Sequence, residues 1–341
     1  MVKTKGYIVL NFTKSFLTIF LPFFLIISLI FLVKISSLTT QIKLTFTELM
    51  VLFSYSIPDI IFYTLPLSFI AALSNTLIRL STGNELIALC VLGLNANRIL
   101  RNLFLISLLF SMLLIAFSFI AMPISKQAYK LFTEEKRSEA KLNIVSGKLG
   151  QKFGKYYVYV RGQNKVDGGF QDLVIYNNAD KQNEQFFAAK QGRLNKQNGQ
   201  ISLILQDGYG YTYSNGYLRQ IQYEMLEAFD TVEQKPFYFE DIISYWGRAS
   251  HDHRIMHRLL FFFFISLIPL LALYPVAAFT IINPRYQKNH TFIVIFTTTL
   301  LLYLIASSLE KWGNIPMLIV VTLLTFSGGF WLFRKRVARY F

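Results

Sequence analysis

The sequence predicts an α-helical membrane protein with six transmembrane helices and an inserted all-β, jellyroll-like extracytoplasmic domain. Three observations carry this. Hydrophobic residues make up 53% of the 341-residue chain, and the mean hydropathy is +0.42. Only 16% of the residues are charged, and they gather at the ends of apolar runs and in one central segment. That segment, 126–250, changes character: Gly, Asn, Gln and Tyr become common, and short apolar stretches alternate with turn signals.

Charges bracket six apolar runs, at 16–33, 60–78, 102–125, 259–284, 291–309 and 312–333. A helix needs about 20 residues to cross the hydrocarbon core, and each run is near or above that. Lys3, Lys5 and Lys14 followed by an apolar run have the look of a signal peptide. However, 16–33 is long enough to span, and Lys34-Ile35-Ser36-Ser37 offers no small-x-small cleavage site. The run therefore reads as a retained helix. Pro269 and Pro275 in the fourth run suit a membrane helix, where proline is tolerated.

Six spans place both termini on one side. That side receives Lys3, Lys5, Lys14, Arg79, Arg98, Arg101, Arg285, Lys288, Arg334, Lys335, Arg336 and Arg339. The other side receives Lys34, Lys43 and Lys311 from its short connections. The excess of short-loop cations marks the first side as cytoplasmic. The expected division is then 1–125 for spans one to three, 126–250 for the outer β-domain, and 251–341 for spans four to six. Within 35–58, Phe46, Leu49, Met50 and Phe53 recur at helical spacing. A short helix is expected there at the outer surface, either ending or running into span two.

In the outer domain, residues 127–142 continue as a charged helix. Strands are expected at 156–160, 173–176, 185–189, 201–205, 209–213 and 217–221. Asn198-Gly199 and Asn215-Gly216 are strong hairpin signals. The result is a sandwich or roll of short strands. Bilayer barrels need strands of about 10 residues, which these stretches do not reach.

Several function classes fall away. The net charge of +15 has no basic stripe with interleaved aromatics, so nucleic acid is not the partner. Cys90 is the sole cysteine; it cannot form an internal disulfide and reads as a small packed residue. The four histidines are His251, His253, His257 and His290, so the β-domain holds no Ser/His/Asp set and no catalytic residue is assigned. His253 and His257, four apart, either share a metal or sit at the membrane interface where span four begins. The interfacial reading is preferred, and no metal site is assigned. No G-x-x-x-x-G-K-[ST] occurs, so the chain binds no ATP through a P-loop and no cofactor is expected in it. Asp59 and Glu310 fall at span edges, which disfavours a proton-coupled carrier. Energy for any work must come from a partner.

The stretch 81–100, STGNELIALCVLGLNANRIL, is longer than a minimal connection. Asn84 can cap a helix whose positive end carries Glu85. Leu86, Leu89, Cys90 and Leu92 or Gly93 form a short apolar face. Two readings stand side by side: a plug for a groove on a cytoplasmic motor protein, or an amphipathic helix lying on the membrane.

Leu65-Pro66-Leu67 in span two, then Gly83-Asn84-Glu85-Leu86-Ile87-Ala88-Leu89 and Gly93-Leu94, resemble the LptF/LptG permeases of lipopolysaccharide export. The layout of three spans, β-domain and three spans is similar too, over essentially the whole chain. Asn283-Pro284-Arg285 and the basic tail 334–339 resemble LptF more than LptG. The resemblance implies an ABC-transporter permease of the bacterial inner membrane. It implies a sister permease, a cytoplasmic LptB-like ATPase dimer that binds the ATP, and periplasmic LptC- and LptA-like proteins that receive the lipopolysaccharide. It implies a coupling helix near 84–95 that docks in the ATPase, with Glu85, Leu86, Leu89 and Gly93 as the coupling residues. The family usually has a basic or polar residue after the glycine of this helix, where this chain has Leu94-Asn95. Lys34 matches a basic position near the site where lipid enters, and is expected to pair with a lipid A phosphate or simply to snorkel to the interface. Lys126 and Lys130, where span three leaves the membrane, and Lys311, equally able to pair with Glu310, complete the expected lipid-binding rim. The competing reading is a receptor or scaffold that transports nothing.

Overall fold

In the computed structural model the described residues are 4–337, apart from 41, 43, 92–95, 143–145, 154–155, 164–168, 178–182, 198–199, 215, 230–238, 251 and 283–289. The chain forms two compact units. One comprises Met1–Thr39, Thr45–Tyr129 and Glu240–Phe341; the other comprises Thr40–Leu44 and Lys130–Phe239.

The first unit is helical. Its elements are α1 (Thr4–Ser36), α2 (Phe46–Thr82), α3 (Glu85–Val91), α4 (Ala96–Ala116), α6 (Ile242–Gly247), α7 (His253–Thr280), α8 (Thr291–Trp312) and α9 (Ile315–Arg336). A π-helical stretch, Phe117–Ala121, joins α4 to α5 (Met122–Leu142), which runs on into the second unit. Among the described residues six helices are long and apolar enough to cross a membrane. The chain is therefore a multi-pass membrane protein.

Two spans are longer than their apolar runs. The expected run at 60–78 lies inside a single helix, Phe46–Thr82, about 55 Å long at about 1.5 Å per residue. Thr45 starts it with a capping box. Its hydroxyl accepts from the Glu48 N–H, and the Glu48 carboxylate accepts from the Thr45 N–H at 2.7 Å. The helix expected within 35–58 is thus continuous with the helix of span two. Span three likewise runs over Asn97–Lys136 rather than 102–125.

α2 and α7 are the buried centre of the bundle, whereas α1 and α9 carry most of their apolar side chains outward. In lipid that exposure costs nothing, because hydrocarbon tails are as apolar as leucine. The core is aromatic: Phe12 packs on Phe69 with centroids 5.2 Å apart, and Phe110 meets Phe16 at 4.9 Å and Phe69 at 5.4 Å. α9 approaches α7 where Gly329 faces Pro275; a Cβ there would stand 2.7 Å from the proline ring. Buried hydroxyls tie helices across the core. The Ser118 and Ser266 hydroxyls share a hydrogen at 3.2 Å, and Ser81 donates to the Thr280 carbonyl at 3.2 Å.

The second unit holds β1 (Gln151–Phe153), β2 (Tyr156–Gln163), β3 (Phe170–Asn177), β4 (Asn183–Gln197), β5 (Gln200–Ser214) and β6 (Tyr217–Phe229). All pair antiparallel in chain order, a six-stranded meander. The strands expected at 201–205 and 209–213 are one strand, β5, and β4 is 15 residues long rather than a short stretch. The cause is a fold line that runs across the sheet. The registers set Arg161, Asp172, Lys190, Asp207 and Glu224 side by side on β2 to β6, and all five are exposed. Asp172 and Asp207 have φ of 51° and 53°, a left-handed conformation that Asp tolerates better than most residues. The row skips one step of the two-residue alternation without changing register. Phe170, Leu173 and Ile175 therefore all bury on one face, as do Leu203, Leu205 and Gly208. Gly208 is required there, since a Cβ would meet the Ala188 carbonyl at 2.3 Å and the Tyr223 hydroxyl at 2.4 Å. That hydroxyl donates to the Ala188 carbonyl at 3.0 Å, and burial pushes its pKa up to about 12.

Candidate functional site

Two clusters in the helical unit hold most of the residues singled out from the sequence. The first surrounds α3. α2 ends where the Gly83 N–H donates to the Arg79 carbonyl at 2.9 Å, and Asn84 follows at a φ of 57°. This left-handed step lets the chain reverse and start α3 at once. The Glu85 carboxylate then accepts a hydrogen bond from the Tyr7 hydroxyl of α1 at 2.7 Å. Leu86 is 1% exposed and Leu89 half-buried, both packed on the core of the bundle. Leu86, expected as a coupling residue, thus turns into the bundle rather than outward. The periodicity correctly identifies an apolar face, but the chain's own helices cover it. The outward face of α3 carries Ala88 and Val91, the latter 82% exposed. Gly93 and the Cys90 side chain lie outside the described parts.

The second cluster gathers around Asp59, which lies within the long helix α2. Lys126 forms an ion pair with it at 3.5 Å and also lies 5.1 Å from the Phe262 ring centroid. Lys34, exposed at the last turn of α1 and 5.9 Å from the Phe31 centroid, is within electrostatic reach of Asp59. Arg258 acts on Lys126 and on Tyr63, and Glu310 acts on Tyr63. Lys126 thus pairs with the carboxylate, and the charges of Lys34 and Arg258 act on that pair from farther off. Lys130 is not part of this group: it belongs to the other unit and pairs with Glu134 one turn on at 3.7 Å. Lys311 is exposed on the last turn of α8, and no ion pair with Glu310 forms.

Beside this cluster stands a feature the sequence reading missed. The π-helical stretch widens the turn at Phe119, and the Trp246 indole donates to the Phe119 carbonyl at 3.0 Å while its ring lies tilted against the Phe119 ring, centroids 5.2 Å apart. Its signal in the sequence was slight, a lone Trp just before span four. His253 and His257 stand one turn apart on α7, with rings 6.5 Å apart, and among the described residues no group of three ligands forms.

A six-span helical bundle with an all-β insert and a short helix keyed into one end defines a polytopic membrane protein. Residues 6–335 match the family described as Lipopolysaccharide export system permease LptF/LptG. The chain belongs to this family, and with it to the permeases of lipopolysaccharide export; it is a transport subunit of a multi-protein export system, not an enzyme. Among curated proteins no relative matches the chain.

Proposed function

We propose that this chain is one permease of an ATP-driven exporter that lifts lipopolysaccharide from the outer leaflet of the bacterial inner membrane and passes it toward a periplasmic bridge. The observation that carries the coupling half is the seating of α3. Leu86 is locked into the core and Glu85 is held by Tyr7, so a push on the outer face of α3 moves α1 and α2 with it. A separate cytoplasmic ATPase dimer supplies that push. ATP binds to the ATPase and no cofactor binds to this chain. In this reading both termini are cytoplasmic, the β-unit is periplasmic, and LptC- and LptA-like proteins accept the cargo. Glu85, Leu89 and Gly93 serve the ATPase contact together with Val91, while Leu86 acts from behind by anchoring the helix.

The lipid half rests on Lys34. It is exposed, lies near the Asp59–Lys126 pair, and offers a cation to a lipid A phosphate. Lys126 backs it from inside the bundle, and Lys130 and Lys311 are outlying cations. The resemblance to LptF at 283–285, outside the described residues, and in the basic tail supports reading the chain as the LptF-like partner of an LptG-like sister.

The test is purification from native membranes in mild detergent, with accompanying proteins identified by mass spectrometry. Recovery of a P-loop ATPase and a second six-span chain is expected, and Glu85→Lys should release the ATPase. Recovery of the chain alone would overturn the exporter and favour a receptor or scaffold. Lys34→Ala should reduce photocrosslinking of lipopolysaccharide near the end of α1 severalfold; unchanged crosslinking would remove Lys34 from the lipid site.

A further inference from the structure

A polar pocket of about 180 Å³ opens between α1 and α2 at the end of the bundle that carries α3. Its lining includes Lys14, Arg79, Asn11, Ser15, Asn75 and Glu85. The coupling reading uses Glu85 and Tyr7, which also lines the pocket, and leaves the rest unexplained.

The pocket is rich in uncommitted donors. Among the described residues neither Lys14 nor Arg79 forms an ion pair. The one carboxylate in the wall, Glu85, already accepts from Tyr7. Asn75 Nδ2 donates to Ser15 Oγ at 3.0 Å, which leaves the serine hydrogen and the second amide hydrogen to donate elsewhere. Two cations against one acid leave a net positive pocket. Its natural ligand is an anion with several acceptor oxygens, and a phosphate suits both the planar fork of Arg79 and the point charge of Lys14. A volume of this size holds a phosphate and a short polar group rather than a few waters alone.

Position selects the source. Lys14 stands just before the apolar run that begins at Phe16, and Arg79 just after the one that ends at Ile78. Both cations therefore lie where a span meets water, at headgroup depth. Leu10 and Leu17 of α1 are exposed beside the pocket and offer an apolar surface for acyl chains. We propose that this pocket binds the phosphate of an anionic phospholipid, a resident lipid distinct from the transported cargo, whose headgroup bridges α1 and α2 beside α3.

The test uses the full chain, with whatever proteins accompany it, delipidated in detergent. It is titrated with phosphatidylglycerol or phosphatidylcholine in mixed micelles, and separately with inorganic phosphate. Bound lipid is read by native mass spectrometry and stabilisation by thermal unfolding. Phosphatidylglycerol should stay bound and raise Tm, with phosphatidylcholine inert at the same mole fraction. Lys14→Gln with Arg79→Gln should weaken phosphatidylglycerol binding roughly 25-fold, about fivefold per cation. An equal rise with inorganic phosphate would assign the pocket to the free anion and overturn the lipid. Equal binding of both lipids, or unchanged affinity in the double variant, would overturn the site. Loss of a co-purifying ATPase from that variant with lipid binding intact would make the pocket a protein contact and equally overturn it. Should the double variant not fold, Asn75→Asp keeps both cations but sets a carboxylate in the pocket, and its retention of the lipid-dependent rise would sink the proposal. These readouts follow lipid binding alone, so failure of the exporter reading leaves a separate signature, the missing ATPase.

Discussion

Lys126→Met removes the cation that faces Asp59 and leaves a helix-interior carboxylate without its ion-pair partner. At 3.5 Å the pair attracts by about 5 kcal/mol if the effective dielectric constant is about 20. That figure is a ceiling, because the two side chains keep 39% and 21% of their surface and water screens them. Breaking a fully buried pair costs ~3–5 kcal/mol, and a surface pair contributes ~0–1. This pair lies between, so a coupling energy of ~2 kcal/mol is expected. The assay is a double-mutant cycle of Asp59→Asn and Lys126→Met, with unfolding followed in mixed micelles. Each single variant should be destabilised. The double variant should be more stable than the sum of the singles by ~2 kcal/mol, since neither charge is then left alone in the helical core. The asymmetry is informative as well. Asp59→Asn leaves Lys126 its contact with the Phe262 ring, whereas Lys126→Met leaves Asp59 only the more distant Lys34, so the second single variant should suffer more. A coupling below ~0.5 kcal/mol would mean that the two groups are independently solvated, and would refute the reasoning that joins them into one site.

Gly329→Leu drives a side chain into the Pro275 ring, and overpacking of that kind should cost ~1–3 kcal/mol; an unchanged Tm in detergent would show that α9 does not approach α7 so closely. Asp207→Val should destabilise by ~1–2 kcal/mol because a β-branched residue resists φ near 53°, while Asp207→Asn should stay within ~0.5 kcal/mol; thermal unfolding of the two variants compares them directly, and equal losses would argue against the fold line. Tyr223 titrates near pH 12 rather than at the ordinary 10.0, so the folded chain holds that proton more tightly than the unfolded chain. Its contribution is complete below pH 10 and is lost as pH rises toward 12, and Tyr223→Phe should flatten that part of the stability–pH curve.

Counting apolar runs between charges recovers all six spans, because a bilayer demands about 20 apolar residues whatever their order. It does not give the ends of the helices. Asp59 and Lys126 each end an apolar run when read alone. Facing each other at 3.5 Å they offset much of each other's charge, and α2 and the helix from α4 to α5 run straight through them. A one-dimensional reading cannot see this, since the partners are separated by more than sixty residues of chain. The sheet fails in a related way. Asp207-Gly208 has the composition of a turn, and Asp207 does take a left-handed φ of 53° while staying in β5. The same left-handed step on β3, aligned by register, makes it a fold line in long strands instead of a break between short ones.

The α3 site shows where periodicity stops being informative. Leu86 and Leu89 mark an apolar face, and the acid before them marks a helix start; both inferences rest on local chemistry and hold. Which surface covers the face is a tertiary fact. The seat for Leu86 is the shared core of the helical bundle, and the anchor for Glu85 is a tyrosine 78 residues away. The consequence is functional. On the proposed coupling, a helix seated by its apolar face would meet the ATPase through its remaining surface, around Val91, and would transmit force through Leu86 and the Tyr7–Glu85 bond. Tyr7→Phe removes that bond but no packing volume. If α3 couples as a lever, this variant should keep its ATPase partner and lose export drive, whereas Val91→Asp should lose the partner itself. If both variants released the ATPase equally, the bond would belong to the docking surface, and α3 would act as a plug rather than a lever.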